Sequence, residues 1–221
     1  MARGVFFDLD GTLIDTVFFH VIAWLRACRE CGVEVDAARL HKLNGMGGDQ
    51  LVNALVGEER PDLDAAHDRH MQEFEAETRA FPGAGALLTE LHRRDAHIGV
   101  STSGGRESAL RALGLLLPDL SLFDTIVTRE DTQATKPAPD LIAVALQRSD
   151  LDPDEAIYVG DTNWDVEAAA RCGMRTIAVC TGGWTEQELM DAGAVAVYES
   201  VTYLVEHLDD SLLGGFLNGA I

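Results

Sequence analysis

VFFDLDGTL, residues 5–13, runs three apolar side chains into two aspartates one residue apart and closes on Gly-Thr-Leu. A short apolar run bounded by turn residues reads as a strand covered on both faces, the kind found in parallel sheets. Side chains alternate along a strand, so Asp8 and Asp10 point to one side, roughly 7 Å apart. Like charges that close raise each other's pKa unless a cation intervenes. The stretch therefore predicts a sheet edge at which something positive must intervene.

Outward from it, strand-like apolar runs recur at 97–101, 125–128, 156–159, 175–179 and 194–197. Helical periodicity fills most intervals, as in RESALRALGLL and PDLIAVALQRSD. Alternating strand and helix predicts an α/β fold with a Rossmann-like parallel sheet covered on both faces. Thr185-x-x-Glu188 is a capping box, with Gly193 as the stop of that helix. Residues 16–80 break the rhythm with helical patterns at 17–31, 36–43, 48–57 and 63–79 and no convincing strand. The expected organisation is an α/β core from residues 1–15 and 81–221, with an all-helical cap inserted at 16–80.

Composition bounds the partners. The 221 residues carry a formal charge of −20, and the only lysines are Lys42 and Lys136. That sign argues against nucleic-acid backbones and anionic membranes, and requires any anion site to be locally positive. No apolar run approaches a membrane span, and acids stand where a signal peptide would be apolar, so the expected location is cytoplasmic. Cys28 and Cys31 form C-x-x-C at the end of a helical pattern, and Cys172 and Cys180 have seven residues between them. Zinc needs two close pairs, and a thioredoxin-like pair follows a strand, not the end of a helix, so free thiols are expected.

Ligands of open parallel sheets collect beyond the carboxyl ends of the strands. Four predicted strand ends meet there: DLDGT, STSGG, the segment REDTQATKPAP, and GDTNWD. They deliver the acids Asp8, Asp10, Asp161 and Asp165, an all-oxygen set suited to Mg²⁺ rather than zinc. STSGG (101–105) supplies the Thr102 hydroxyl and free N–H groups at Ser103 and Gly104, where a helix begins. Lys136 precedes Pro137 and Pro139, whose fixed φ restrains its loop. A cation, amide donors and a metal around a carboxylate describe a phosphoryl-transfer site.

DLDGT, STS, KPAPD and GDTNWD, in that order, resemble the four motifs of the haloacid dehalogenase-like phosphohydrolases, in the branch of phosphoglycolate phosphatases and beta-phosphoglucomutases. The resemblance spans the chain, and the helical insert resembles the type-1 cap of that family. It implies that Asp8 is the nucleophile of an aspartyl-phosphate mechanism and Asp10 the general acid and base. Thr102 and the Ser103 N–H would hold phosphate oxygens, with Lys136 neutralising Asp8. Mg²⁺ would be held by Asp8, the Asp10 carbonyl and Asp161, with Asp165 acting directly or through water.

In the insert, His20 and Trp24 are spaced to face each other on one helix, and Met46 in NGMGGD (44–49) is placed to lean over the site. Both also suit plain packing. Arg106 reads as a solvated first-turn residue or a phosphate neighbour, and the apolar tail LLGGFLNGAI as a sheet cover or an oligomer contact. The leading expectation is a Mg²⁺-dependent phosphatase of a small phosphomonoester metabolite, with the oligomeric state open. Mutase action needs a grip on a second phosphate, and Asn44 and Gly48 are not basic. Phosphonatase chemistry needs a cap lysine where Gln50 stands, with Lys42 before the loop. A receiver-like signalling protein and a catalytically inactive binding protein are the alternatives from another class.

Overall fold

A computed structural model describes residues 3–117 and 119–220. The strands are β1 (Gly4–Phe7), β2 (His97–Ser101), β3 (Thr125–Val127), β4 (Ala156–Gly160), β5 (Arg175–Val179) and β6 (Ala196–Tyr198). They form one all-parallel sheet in the order β3-β2-β1-β4-β5-β6. All six lie within two or three residues of the sequence expectation, because each is an apolar run, buried in all but the edge strand β6, which is half-buried. The order reverses at β1, which places its carboxyl end at the switch point of the sheet.

The helices are α1 (Val17–Glu30), α2 (Ala37–Leu43), α3 (Gly48–Val56), α4 (Pro61–Gln72), α5 (Ala84–Arg93), α6 (Arg106–Leu116), α7 (Asp140–Ser149), α8 (Asn163–Arg171), α9 (Glu186–Ala192), α10 (Val201–Glu206) and α11 (Leu212–Leu217). Strand alternation sorts the core into two layers. Val5, Phe7, Val100 and Val159 pack with Leu87 and Leu91 of α5, Leu204 of α10, and Leu213 and Phe216 of α11. Phe6 and Tyr158 point the other way, against Leu141 and Ile142 of α7 and Ala168 and Ala169 of α8. The apolar tail thus covers the sheet through Leu213 and Phe216, Ile221 lying outside the described residues. No described helix is long and apolar enough to cross a membrane.

Helices α1–α4 enclose their own core of Val21, Trp24, Ala27, Cys28, Leu40, Leu51, Val52, Leu63 and Ala66. Cys28 is buried there, while Cys31, Cys172 and Cys180 are half-buried free thiols. The expected helix 63–79 is corrected: α4 starts at Pro61 and stops at Gln72. Beyond it the chain turns so that Phe74 stacks on Phe19 at 4.8 Å and Ala80 bridges to Ile14, which a continuous helix would prevent. At α9 the capping box forms as read, Glu188 accepting from the Thr185 N–H at 3.0 Å, and Gly193 takes φ of 109°.

Candidate active site

The β1–β4 ladder runs one step past the strand, the Asp8 N–H donating to the Val159 carbonyl at 2.9 Å. That fixes the Asp8 carboxylate at the sheet edge, where it is buried. The counter-charge is Lys136, its Nζ 2.5 Å from Asp8 Oδ1 and 2.8 Å from Asp165 Oδ1. Lys136 is 1 % exposed, so a full positive charge sits in the interior and only its two carboxylates justify it. Burial opposes that charge, but Asp165 and Asp8 outweigh it and hold the ammonium well above the usual lysine value. Burial pushes the Asp8 carboxyl up to about 7 even with Lys136 pulling it down.

Asp161 follows β4, and its Oδ1 accepts from the Thr12 hydroxyl at 2.8 Å. Its Oδ2 is buried and has no hydrogen-bond partner among the described residues. A Cβ on Gly11 (φ +87°) or on Gly182 would collide with this oxygen, so two glycines keep space open beside it. Burial, with Asp165 and Asp8 nearby, raises the Asp161 carboxyl well above the usual range. Ligand oxygens of Asp8, Asp161 and Asp165 lie within 4.8 Å of one another. An orphaned carboxylate oxygen, an all-oxygen set and a glycine-lined gap fit a hard divalent cation. Asp165 is more occupied than the sequence suggested. Its Oδ2 accepts from the Thr162 hydroxyl at 2.7 Å and the Thr162 N–H at 3.0 Å in the capping box of α8, and its Oδ1 holds Lys136.

Asp10 is held apart from this cluster. The Thr16 hydroxyl donates to its Oδ1 at 2.6 Å, and His20 Nε2 lies 3.3 Å from the same oxygen. Burial alone would raise the Asp10 carboxyl, but the His20 ring and the Thr16 hydroxyl bring it down to about 2. Thr102 is buried after β2; its N–H donates to the Val127 carbonyl and its Oγ1 accepts from the Gly104 N–H, both at 3.0 Å. The neighbouring Ser103 Oγ is buried and without a partner among the described residues. Asp8, Asp10, Thr102, Ser103, Gly104, Lys136, His20 and Met46 all line one cavity of about 540 Å³ between the sheet edge and α1–α4. Asp161 and Asp165 are buried and do not line it. Arg106 is exposed, 3.9 Å from Asp131, and does not line this cavity.

Residues 5–179 match the family model of the haloacid dehalogenase-like hydrolases. The chain belongs to this family. Among its relatives, this haloacid dehalogenase-like hydrolase is 27 % identical to the pyrophosphatase PpaX of Oceanobacillus iheyensis, over 94 % of each chain. It is 29 % identical to PpaX of Bacillus velezensis, over 96 % of this chain and 95 % of that one. A hydrolase from Pseudomonas syringae superposes with a TM-score of 0.89 at 34 % identity, covering 95 % of this chain and 99 % of that one. CbbY of Rhodobacter sphaeroides, solved in complex with phosphate, shares the fold at 24 % identity and a TM-score of 0.75, covering 92 % and 96 %. The family supports a phosphatase or phosphotransferase.

Several residues of this hydrolase's cavity were not singled out in the sequence. His67 of α4 is the ring that faces both His20 and Trp24, stacking on Trp24 at 4.1 Å and on His20 at 5.2 Å. Asp64, Asp68, Glu75, Glu107, Glu130, Arg111 and Arg129 also line the chamber. No linear motif marks them, since they meet only through the packing of α1 on α4 and of α4 on the loop after β3. The HDRH run at 67–70 is the one local signal, two histidines and an acid at helical spacing.

Proposed function

We propose that the chain is a Mg²⁺-dependent phosphomonoesterase working through an aspartyl-phosphate on Asp8, with residues 16–80 acting as a cap over a core of residues 1–15 and 81–221. The observation that carries this reading is the buried Asp8–Lys136–Asp165 chain beside the orphaned Asp161 Oδ2. Asp8, the Asp10 carbonyl and Asp161 would hold the ion, with Asp165 behind them, and bound Mg²⁺ would neutralise phosphoryl oxygens. Lys136 orients Asp8 and offsets the charge gathered at its carboxylate. The Ser103 hydroxyl, Thr102 and the N–H groups of the following loop receive the remaining phosphate oxygens.

Asp8 attacks phosphorus, and the bond to the ester oxygen breaks as Asp10 gives that oxygen a proton. Water then attacks the acyl phosphate and returns a proton to Asp10, which releases phosphate and restores Asp8. At rest Thr16 and His20 hold the Asp10 carboxyl ionised, so the proton it gives the ester oxygen is one it first takes from the singly protonated phosphate monoester.

The chamber also narrows the leaving group. Its two arginines are already paired, Arg111 with Glu75 at 3.0 Å and Glu107 at 2.6 Å, and Arg129 with Asp68 at 3.3 Å and Glu130 at 3.7 Å. Asp64 is a further acid in the lining. A second anionic group would meet an excess of carboxylates, whereas a neutral polyol or an amine would not. Steady-state kinetics on glycerol phosphate, phosphoglycolate and pyrophosphate test both points. Turnover of glycerol phosphate should vanish in chelator and return with Mg²⁺. Its kcat/KM should exceed the other two by about tenfold or more, a repulsion of roughly 1.4 kcal/mol. Equal turnover in chelator would overturn the metal assignment, and a preference for pyrophosphate would overturn the leaving-group assignment.

A further inference from the structure

Asp10 has one oxygen engaged and one open. Thr16 and His20 both act on Oδ1. Oδ2 faces the phosphate loop, 3.8 Å from where a Cβ on Gly104 would stand. Which oxygen meets the leaving group therefore depends on what holds Thr16 and His20.

His20 is held from its far side. Its Nδ1 lies 3.1 Å from His67 Nε2, and His67 Nδ1 lies 3.1 Å from Asp68 Oδ1. The hydrogens on this chain follow from the donor inventory. The Asp68 carboxylate only accepts, so His67 Nδ1 donates to it. His67 is 8 % exposed, and burial keeps it neutral by pushing it down to about 4. Its Nε2 then carries a lone pair and accepts from His20 Nδ1. Turning the His20 ring by half a revolution would replace both nitrogen contacts with carbon, so the ring is locked with Nε2 toward Asp10. Arg129, beyond β3, reaches Asp68 at 3.3 Å and returns the chain to the sheet. A merely structural stack on Trp24 would need none of these nitrogens.

We infer that His67 and Asp68 are positioning residues of the proposed phosphatase: they lock His20 against Asp10 Oδ1 and so leave Oδ2 to serve the leaving group. The inference rests on the phosphatase reading above. It concerns the leaving-group proton alone, so its signature is a dependence on how badly the leaving group needs that proton. Nitrophenolate leaves with little help, whereas the alkoxide of glycerol phosphate must be protonated.

The test compares kcat on p-nitrophenyl phosphate and on glycerol phosphate for wild type, His67→Phe, His67→Gln and Asp68→Asn. Phe keeps a ring against Trp24 and His20 but has no nitrogens; Gln can still accept from His20. Asp68 is half-buried, so Asp68→Asn leaves a second, mild variant should His67→Phe fail to fold. In His67→Phe, kcat on glycerol phosphate should fall about 10–100-fold more than on p-nitrophenyl phosphate, a share of the 10²–10⁴-fold typical of general acids. KM should stay within about twofold, because phosphate binding is untouched. Asp68→Asn should shift the same ratio in the same direction, and His67→Gln should restore most of it. Equal losses on both esters in a folded variant, or an unchanged ratio in Asp68→Asn, would overturn the inference alone. Wild-type protein that hydrolyses neither ester would overturn the phosphatase reading and this inference with it.

Discussion

Replacing Asp8 by Asn is expected to abolish turnover by about 10⁴-fold or more while leaving the fold at least as stable as wild type. The amide has nearly the same shape but no nucleophilic oxygen, so the chemistry stops at its first step. Stability moves the other way because burial disfavours the ionised carboxyl, pushing it up to about 7 against an ordinary 3.8. A group whose folded pKa is raised costs stability above its unfolded pKa, so at neutral pH the charged Asp8 works against folding. Asn removes that cost, and Lys136 keeps its 2.8 Å partner Asp165. Phosphate release and thermal melting on the same preparation read both halves. A variant that turns over within tenfold of wild type contradicts the assignment of the nucleophile. One that melts well below wild type contradicts the electrostatic account of the pocket.

Lys136→Met should fail on both counts. Lys136 is the one cation within 4 Å of Asp8 and Asp165 among the described residues, and both carboxylates are buried. Removing one member of a buried ion network typically costs about 3–5 kcal/mol because the remaining charge loses its compensation. Here two carboxylates lose it together, beside the Asp161 carboxyl that is already raised by its neighbours. Activity should fall by about 10²–10³-fold or more, the usual cost of deleting one charge-stabilising group. The double variant Asp8→Asn/Lys136→Met separates charge from packing. If the loss is electrostatic, urea unfolding will show Lys136→Met costing less in the Asp8→Asn background. Equal cost in both backgrounds would mean that packing, not charge, carries the effect.

The parts of this molecule legible in the sequence are those encoded locally. Val5-Phe6-Phe7 is buried on both faces, and the other five strands are apolar runs too, so the sheet and the edge where the acids gather could be read from runs and spacing. Thr185, Glu188 and Gly193 spell a helix start and stop within a few residues. What depends on distant packing was less visible. Asp165 was placed correctly one turn after Asp161, yet its duties as the capping-box acid of α8 and the partner of Lys136 come from residues 162 and 136 together. The end of α4 was missed because Phe74 leaves the helix to stack on Phe19, 55 residues earlier in the chain. His67 was missed for the same reason: His20 and Trp24, the rings it stacks on, lie on α1, and the HDRH run at 67–70 does not announce them.

The most direct test is whether Asp8 becomes phosphorylated. Asp10→Asn protein should accept the phosphoryl group of p-nitrophenyl phosphate, whose leaving group needs little protonation, and should release it slowly because water has lost its base. Acid quenching in the presence of Mg²⁺, followed by peptide mass spectrometry, should find one phosphoryl group on the peptide containing Asp8. Wild-type protein that hydrolyses the ester, alongside an Asp10→Asn protein whose label is absent or sits on another residue, would contradict a covalent route through Asp8.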